Sequence, residues 1–125
     1  MPTILAIDYG IKRIGLAIVP DGLSVVMPFG TVTEQQVIAK IQEAQPDMLV
    51  IGLPLDMEGQ ETDMSARIRA FGETIRQAVH VPIEYVDERF STAQGKRSEG
   101  GVGDDEKAAM VILETYLSSQ PIVHS

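Results

Sequence analysis

The apolar positions of the chain fall into short runs whose period changes along its length. Residues 3–8, TILAID, form an apolar run that ends in an acid, and residues 13–19, RIGLAIV, form a second after a glycine-containing turn. Two such runs joined by a short turn predict a hairpin. After PDG, the segment LSVVMPFGTV (23–32) keeps the same character and predicts a third antiparallel strand, with Pro28 weakening its middle or marking a sheet edge. From Thr33 and Glu34 the period is helical: Val37, Ile38, Ile41 and Ala44 recur on one face until Pro46 closes the segment. DMLVIGLPL (47–55) is then apolar without alternation, as expected of a buried parallel strand. Met64, Ile68, Phe71, Ile75 and Val79 recur at helical intervals and predict a crossover helix over about 61–79. VPIEYV (81–86) is a fifth strand. Beyond a polar, glycine-rich stretch, a last helix begins near Asp104, with Ala109, Ile112, Leu113, Tyr116 and Leu117 along one face.

The order βββαβαβα predicts an α/β domain built on a single mixed five-stranded sheet. Right-handed crossovers put the first strand at the centre, with the hairpin on one side and the parallel strands on the other, in the order 3-2-1-4-5 with helices on both faces. At 125 residues, with no internal repeat or linker, the chain reads as one domain over 1–125. Ligands of such sheets bind beyond the carboxyl ends of the parallel strands. Asp8 ends the first strand, Asp87 and Glu88 end the last, and Asp104 and Asp105 open the final helix. Three acidic positions therefore meet at one edge.

Composition narrows what that edge could do. Hydrophobic residues make up 44% and charged residues 22%, which excludes a disordered or collagen-like chain, and the length excludes a two-lobed enzyme. The absence of cysteine removes disulfides, thiolate nucleophiles and Cys-based zinc sites. It also fits a reducing compartment, with the cytoplasm the expected location. The N-terminus reaches Asp8 without a basic region or a spanning apolar run, so neither export nor membrane association is expected. A net charge of −8 argues against nucleic acid at first sight. Its distribution alters that picture: acids gather in DMEGQETD (56–63), and bases gather at Lys12-Arg13, at Arg67, Arg69 and Arg76, at Arg89 and at Lys96-Arg97.

Crowded carboxylates repel unless protons, bases or cations relieve them. Mg²⁺ and Mn²⁺ are hard ions suited to such oxygens, and two ions roughly 3.5–4 Å apart can activate a water and stabilise a leaving oxygen in phosphodiester cleavage. Each acid also has an ordinary reading. Asp8 suits a turn, Asp104 or Asp105 suits a helix N-cap, and Asp87-Glu88-Arg89 suits a surface ion-pair cluster.

Four segments in order carry a family resemblance: AIDYGIKRIGLAI (6–18), IGLPLDMEGQETDMSARIRAF (51–71), VDERFST (86–92) and DDEKAAMVILETYL (104–117). They resemble the successive motifs of the YqgF/RuvX family of small RNase H-like nucleases, described both as pre-16S rRNA processing nucleases and as Holliday-junction resolvases. The resemblance implies an RNase H-like fold and phosphodiester hydrolysis with Mg²⁺ or Mn²⁺. Position by position it implies Asp8, Glu88 and Asp105 as catalytic acids, with Asp87 and Asp104 as neighbouring candidates for the metal. Gly10, Lys12 and Arg13 resemble the family's Gly-Lys-Arg turn, where the cations would meet phosphate or simply solvent. Gly52-Leu-Pro-Leu55 would line the groove beside the site or be a plain strand exit. Arg67 either projects to substrate or pairs with Asp63, four residues before it. Arg89 would position phosphate or hold Asp87 and Glu88, and Lys96 and Arg97 keep positive charge in AQGKRSEGGVGD (93–104), which is shorter than the corresponding family segment. Ser91 and Thr92 have no base to make either a nucleophile, and His80 and His124 are too isolated for a triad or zinc site and read as surface residues.

The expected partner is structured RNA, in particular the pre-16S rRNA 5′ end, or a four-way DNA junction, whose symmetric cleavage needs a twofold dimer; the chain is otherwise a monomer or homodimer. Two other functions compete. AIDYGIKRIGLAI also resembles the phosphate-binding hairpin of the sugar-kinase/actin/Hsp70 ATPases, whose site closes between two lobes. An RNase H-like module that binds nucleic acid without cutting it would keep the same fold.

Overall fold

The computed structural model of the protein describes residues 2–20, 22, 23, 25–88 and 104–119. Strands β1 (Ile4–Asp8), β2 (Ile14–Val19), β3 (Met27–Val32), β4 (Met48–Leu53) and β5 (Ile83–Asp87) form one sheet in the order β3-β2-β1-β4-β5. β1 runs antiparallel to β2 and parallel to β4, β2 is antiparallel to β3, and β4 is parallel to β5. The expected sheet order and strand directions are those observed. Helices α1 (Val37–Ala44), α2 (Asp63–Val79) and α3 (Asp104–Ser119) complete the fold.

Element boundaries differ from the sequence expectation where side chains take backbone partners. β3 begins at Met27, not Leu23, and it is the edge strand; Pro28, which has no N–H to donate, pairs with Ala17 beside a register shift at Leu16/Ala17. α1 begins at Val37, not at Thr33-Glu34, because Thr33 does not cap it. Instead the Thr33 N–H donates to Gln36 Oε1 at 3.0 Å, and residues 34–36 form a turn. α2 starts through a capping box: Ser65 N–H donates to Thr62 Oγ1 at 3.1 Å while Thr62 N–H donates to Ser65 Oγ at 2.7 Å. It ends at His80 in the left-handed conformation, φ 56°, which places this histidine as an exposed helix cap.

Strand alternation divides the core into two. On one face Leu5 and Ile7 of β1, Ile14 and Leu16 of β2, and Leu49, Ile51 and Leu53 of β4 meet Val37 and Ile41 of α1 and Ile68, Phe71 and Ile75 of α2. On the other face Ile4, Ala6, Ala17, Val19, Val50 and Val86 meet Ala109, Ile112 and Leu113 of α3. Among the described residues, no helix is long and apolar enough to cross a membrane.

Candidate active site

The carboxyl edge of β1 is built from two glycines and an acid. Asp8 pairs with Gly15 across the β1–β2 ladder, and one residue beyond the Ile7–Ile51 pair it reaches the level of Gly52 on β4. Ile4, Ala6 and Asp8 alternate onto the α3 face, and so do Gly15 and Gly52. A Cβ on Gly15 would fall inside the backbone carbonyl of Asp105 and lie 2.9 Å from its Cβ. A Cβ on Gly52 would lie 2.5 Å from Ile112 Cδ1 and 2.6 Å from Glu88 Oε2. These two positions let the start of α3 and the end of β5 close on Asp8. Their role was missed in the sequence reading of Gly15 and only partly seen at Gly52. The available signal was glycine inside an otherwise apolar strand run, which marks close approach of another segment.

Glu88 follows β5 two residues after the buried Val86, so it falls on the α3 face beside Asp8, whereas Asp87 follows Tyr85 onto the α2 face. Asp8 and Glu88 are hydrogen-bonded, and the Asp8 carboxyl is pushed up to about 8, first by burial, then by the hydrogen bond and charge of Glu88, then by the charge of Asp105. Glu88 is also raised, chiefly by burial; the Asp8 hydrogen bond works against this rise and the charge of Asp87 adds to it. Both carboxyls are raised and hydrogen-bonded to each other, so the pair shares a proton and carries one negative charge where two would repel.

Asp105 stands apart from that pair. Its Oδ2 accepts a hydrogen bond from Arg13 Nε at 2.8 Å. Among the described residues no group of three acids and histidines is arranged to hold a metal ion as placed, since Asp8 and Glu88 face each other and Asp105 faces Arg13. The donor set nevertheless fits a hard divalent cation: two half-buried carboxylates rely on a proton to avoid a second negative charge, and a third lies within electrostatic range.

Cations surround the edge unevenly. Lys12 and Arg13 are exposed on the β1–β2 turn, where a Cβ on Gly10 would lie 2.5 Å from the Arg13 carbonyl oxygen, consistent with the tight turn expected there. Arg67 takes Tyr9 in place of Asp63 among the described contacts: its Nε donates to the Tyr9 hydroxyl at 3.3 Å, and that hydroxyl donates to Glu34 Oε1 at 3.0 Å. Tyr9 is 8% exposed and its ring lies 4.6 Å from that of Phe71, so the residue after Asp8 ties the edge to α2. Neither Tyr9 nor Glu34 was singled out from sequence, because an aromatic next to an acid reads as ordinary core. The acidic stretch 56–63 is satisfied locally: Asp56 Oδ1 accepts from the N–H groups of Glu58 and Gln60, and Glu61 pairs with Arg69 at 2.8 Å. The Asp104 side chain, Arg89, Ser91, Thr92, Lys96, Arg97 and His124 lie outside the described residues.

The fold is shared with solved structures. A Thermus thermophilus RuvC described in complex with Holliday junction substrate superposes with a TM-score of 0.63 at 12% identity, covering 92% of each chain, and a second T. thermophilus RuvC structure gives 0.58. With this sheet order, the chain has the RNase H-like fold and belongs to the class of nucleases built on it. Within that class the chain belongs to the RuvX family, whose model, described as Holliday junction resolvase, matches residues 2–119. Relatives named "Putative pre-16S rRNA nuclease" include one from Marinobacter nauticus, 36% identical over 94% of this chain and 93% of its own length. Another, from Chromohalobacter salexigens, is 38% identical over 92% of this chain and 88% of its own. The Marinobacter alignment runs over 133 positions, more than the 125 residues of this chain, so that relative carries residues absent here.

Proposed function

We propose that the protein is a divalent-cation-dependent nuclease that hydrolyses phosphodiesters of structured RNA, maturing the 5′ end of pre-16S rRNA in the cytoplasm as a single domain over 1–125. The observation that carries this reading is the half-buried, hydrogen-bonded Asp8–Glu88 pair, with Asp105 at the same edge and the Lys12-Arg13 turn beside it. Asp8, Glu88 and Asp105 would hold Mg²⁺ or Mn²⁺, which supplies charge neutralisation at the phosphate and a more acidic water.

This chain's own residues supply the rest. Loading requires the proton on Asp8 to leave, and the edge then presents three carboxylates over the small surface left by Gly15 and Gly52. Lys12, Arg13 and Arg67 would meet the nucleic-acid backbone, where Arg67 is oriented by Tyr9 and the two turn cations reach from the adjacent hairpin. Local positive charge, together with the bound cation, answers the net charge of −8. Asp87, on the opposite face, would act on Glu88 through charge and not as a ligand.

A second reading, resolution of four-way DNA junctions, is favoured by the description of the matching family. It requires a twofold dimer that presents two edges to two strands. Cleavage of a labelled pre-16S leader and of a synthetic junction, in parallel with Mg²⁺, Mn²⁺ or EDTA, separates the two. Metal-dependent cutting of the leader alone is expected; cutting of the junction alone would favour the second reading, and failure to cut either would leave a binding module.

A further inference from the structure

Arg13 and Gly15 lie two residues apart, the second on β2, so both alternate onto the face where α3 begins. Gly15 fixes the backbone of Asp105 against the sheet, which leaves side-chain rotation to decide where the Asp105 carboxylate points. In the structure it points to Arg13, with Nε donating to Oδ2 at 2.8 Å. The guanidinium is 69% exposed and the carboxylate 31%, so the pair sits at the rim, where solvent or a phosphate can reach it. A guanidinium fork engages carboxylates and phosphates with the same planar geometry, and the Nε–Oδ2 bond uses one of its donors.

Resting on the nuclease reading above, we propose that Arg13 is a latch on Asp105: it holds the third carboxylate away from the Asp8–Glu88 pair until substrate phosphate draws the guanidinium off. The latch opposes cation loading, because the ion competes with Arg13 for Asp105 and meets its positive charge. A phosphodiester arriving at the turn accepts the same guanidinium and frees Asp105. Cation and nucleic acid then favour each other's binding, by thermodynamic reciprocity. Arg13 acts here through Asp105, as a positioning residue, and makes its phosphate contact only in the loaded state.

The test reads binding, not turnover. Mn²⁺ is titrated into the full-length metal-free protein and free ion is followed by electron paramagnetic resonance, for wild type, Arg13→Gln and Lys12→Gln. Arg13→Gln is expected to tighten Mn²⁺ binding roughly three- to tenfold, the scale of an exposed ion pair plus the removed repulsion. Lys12→Gln removes the same charge from the same turn and should change affinity less than about twofold. In a second arm, anisotropy of a labelled RNA leader is compared in EDTA and in Ca²⁺. Arg13→Gln should weaken RNA binding clearly in Ca²⁺ and little in EDTA, where Asp105 already occupies the arginine.

Unchanged or weaker Mn²⁺ binding by Arg13→Gln would overturn the latch while leaving the cation site standing. Equal tightening by both variants would overturn it in favour of general turn charge, and an RNA-binding loss of the same size in EDTA and Ca²⁺ would overturn the exchange. If wild type and variants alike bound no Mn²⁺, the cation reading itself would fall and the latch with it. Should Arg13→Gln melt early, Arg13→Lys, which keeps charge and loses the Nε donor, gives the same comparison with an intermediate tightening expected.

Discussion

The two faces of the sheet are built on opposite rules. Toward α1 and α2 every inward position of the central strands is large: Leu5 and Ile7, Ile14 and Leu16, Leu49, Ile51 and Leu53. Toward α3 the side chains of β2 and β4, which flank β1, shrink rank by rank along the register. Val19, Ile4 and Met48 form one rank, Ala17, Ala6 and Val50 the next, and Gly15, Asp8 and Gly52 the last. α3 follows this taper. Its Tyr116 hydroxyl donates to Met48 Sδ at 3.1 Å over the bulky rank, while the Asp105 backbone rests against Gly15 at the other end. One face buries area and supplies stability; the other gives up area so that a helix terminus carrying Asp105 can approach Asp8 and Glu88.

Ile51→Ala tests the first half of that contrast and carries the largest expected effect. Ile51 is fully buried between β4 and α2, so deleting its side chain should cost about 4 kcal/mol of unfolding free energy by denaturant titration. Activity per folded molecule should remain close to wild type. A specific activity that fell with the stability would mean that the two faces are not separable.

Gly15→Ala tests the second half. Added methyl atoms in a packed site cost about 3 kcal/mol or less, and here the obstacle is backbone, so α3 must move. The expected signature is the reverse of Ile51→Ala: a smaller loss of stability, with nuclease activity and Mn²⁺ binding abolished because Asp105 is displaced. Retained activity would show that the helix terminus is not held by the taper.

These contrasts also show what could be read from sequence. Strand order was legible because the continuous run 47–55 admits only a buried parallel strand and right-handed crossovers then leave one arrangement around β1. The meeting of Asp8, Glu88 and Asp105 at one edge followed from that topology. The alternation that sends Asp87 away from Glu88 was equally available, and the two were left together only because β5 was ended at Val86 instead of Asp87. Side-chain choices at the rim were not legible: nothing in the spacing says that Asp105 turns to Arg13, or that Arg67 takes Tyr9 in place of Asp63. Those depend on which of several nearby partners lies within about 3 Å, a matter of tertiary placement.

Asp8→Asn sharpens the comparison at the narrow end of the taper, with the smallest expected change in stability and the opposite sign. The folded protein holds the Asp8 proton up to about pH 8, whereas the unfolded chain releases it near pH 4. The folded state therefore binds more protons through that window, and metal-free stability is fully present below about pH 4 and falls as pH rises through 8. Asparagine cannot ionise, so thermal melts of the metal-free variant should lose most of this slope and lie above wild type at pH 8. A divalent cation should do to wild type what the substitution does to the variant, because it replaces the proton as the relief of charge. Added Mg²⁺ should then raise the wild-type melting temperature more at pH 8 than at pH 6, and leave Asp8→Asn nearly unmoved at both. If the two proteins kept the same pH slope, the acid at the end of the tapered face would not be the group whose charge the edge is built to relieve.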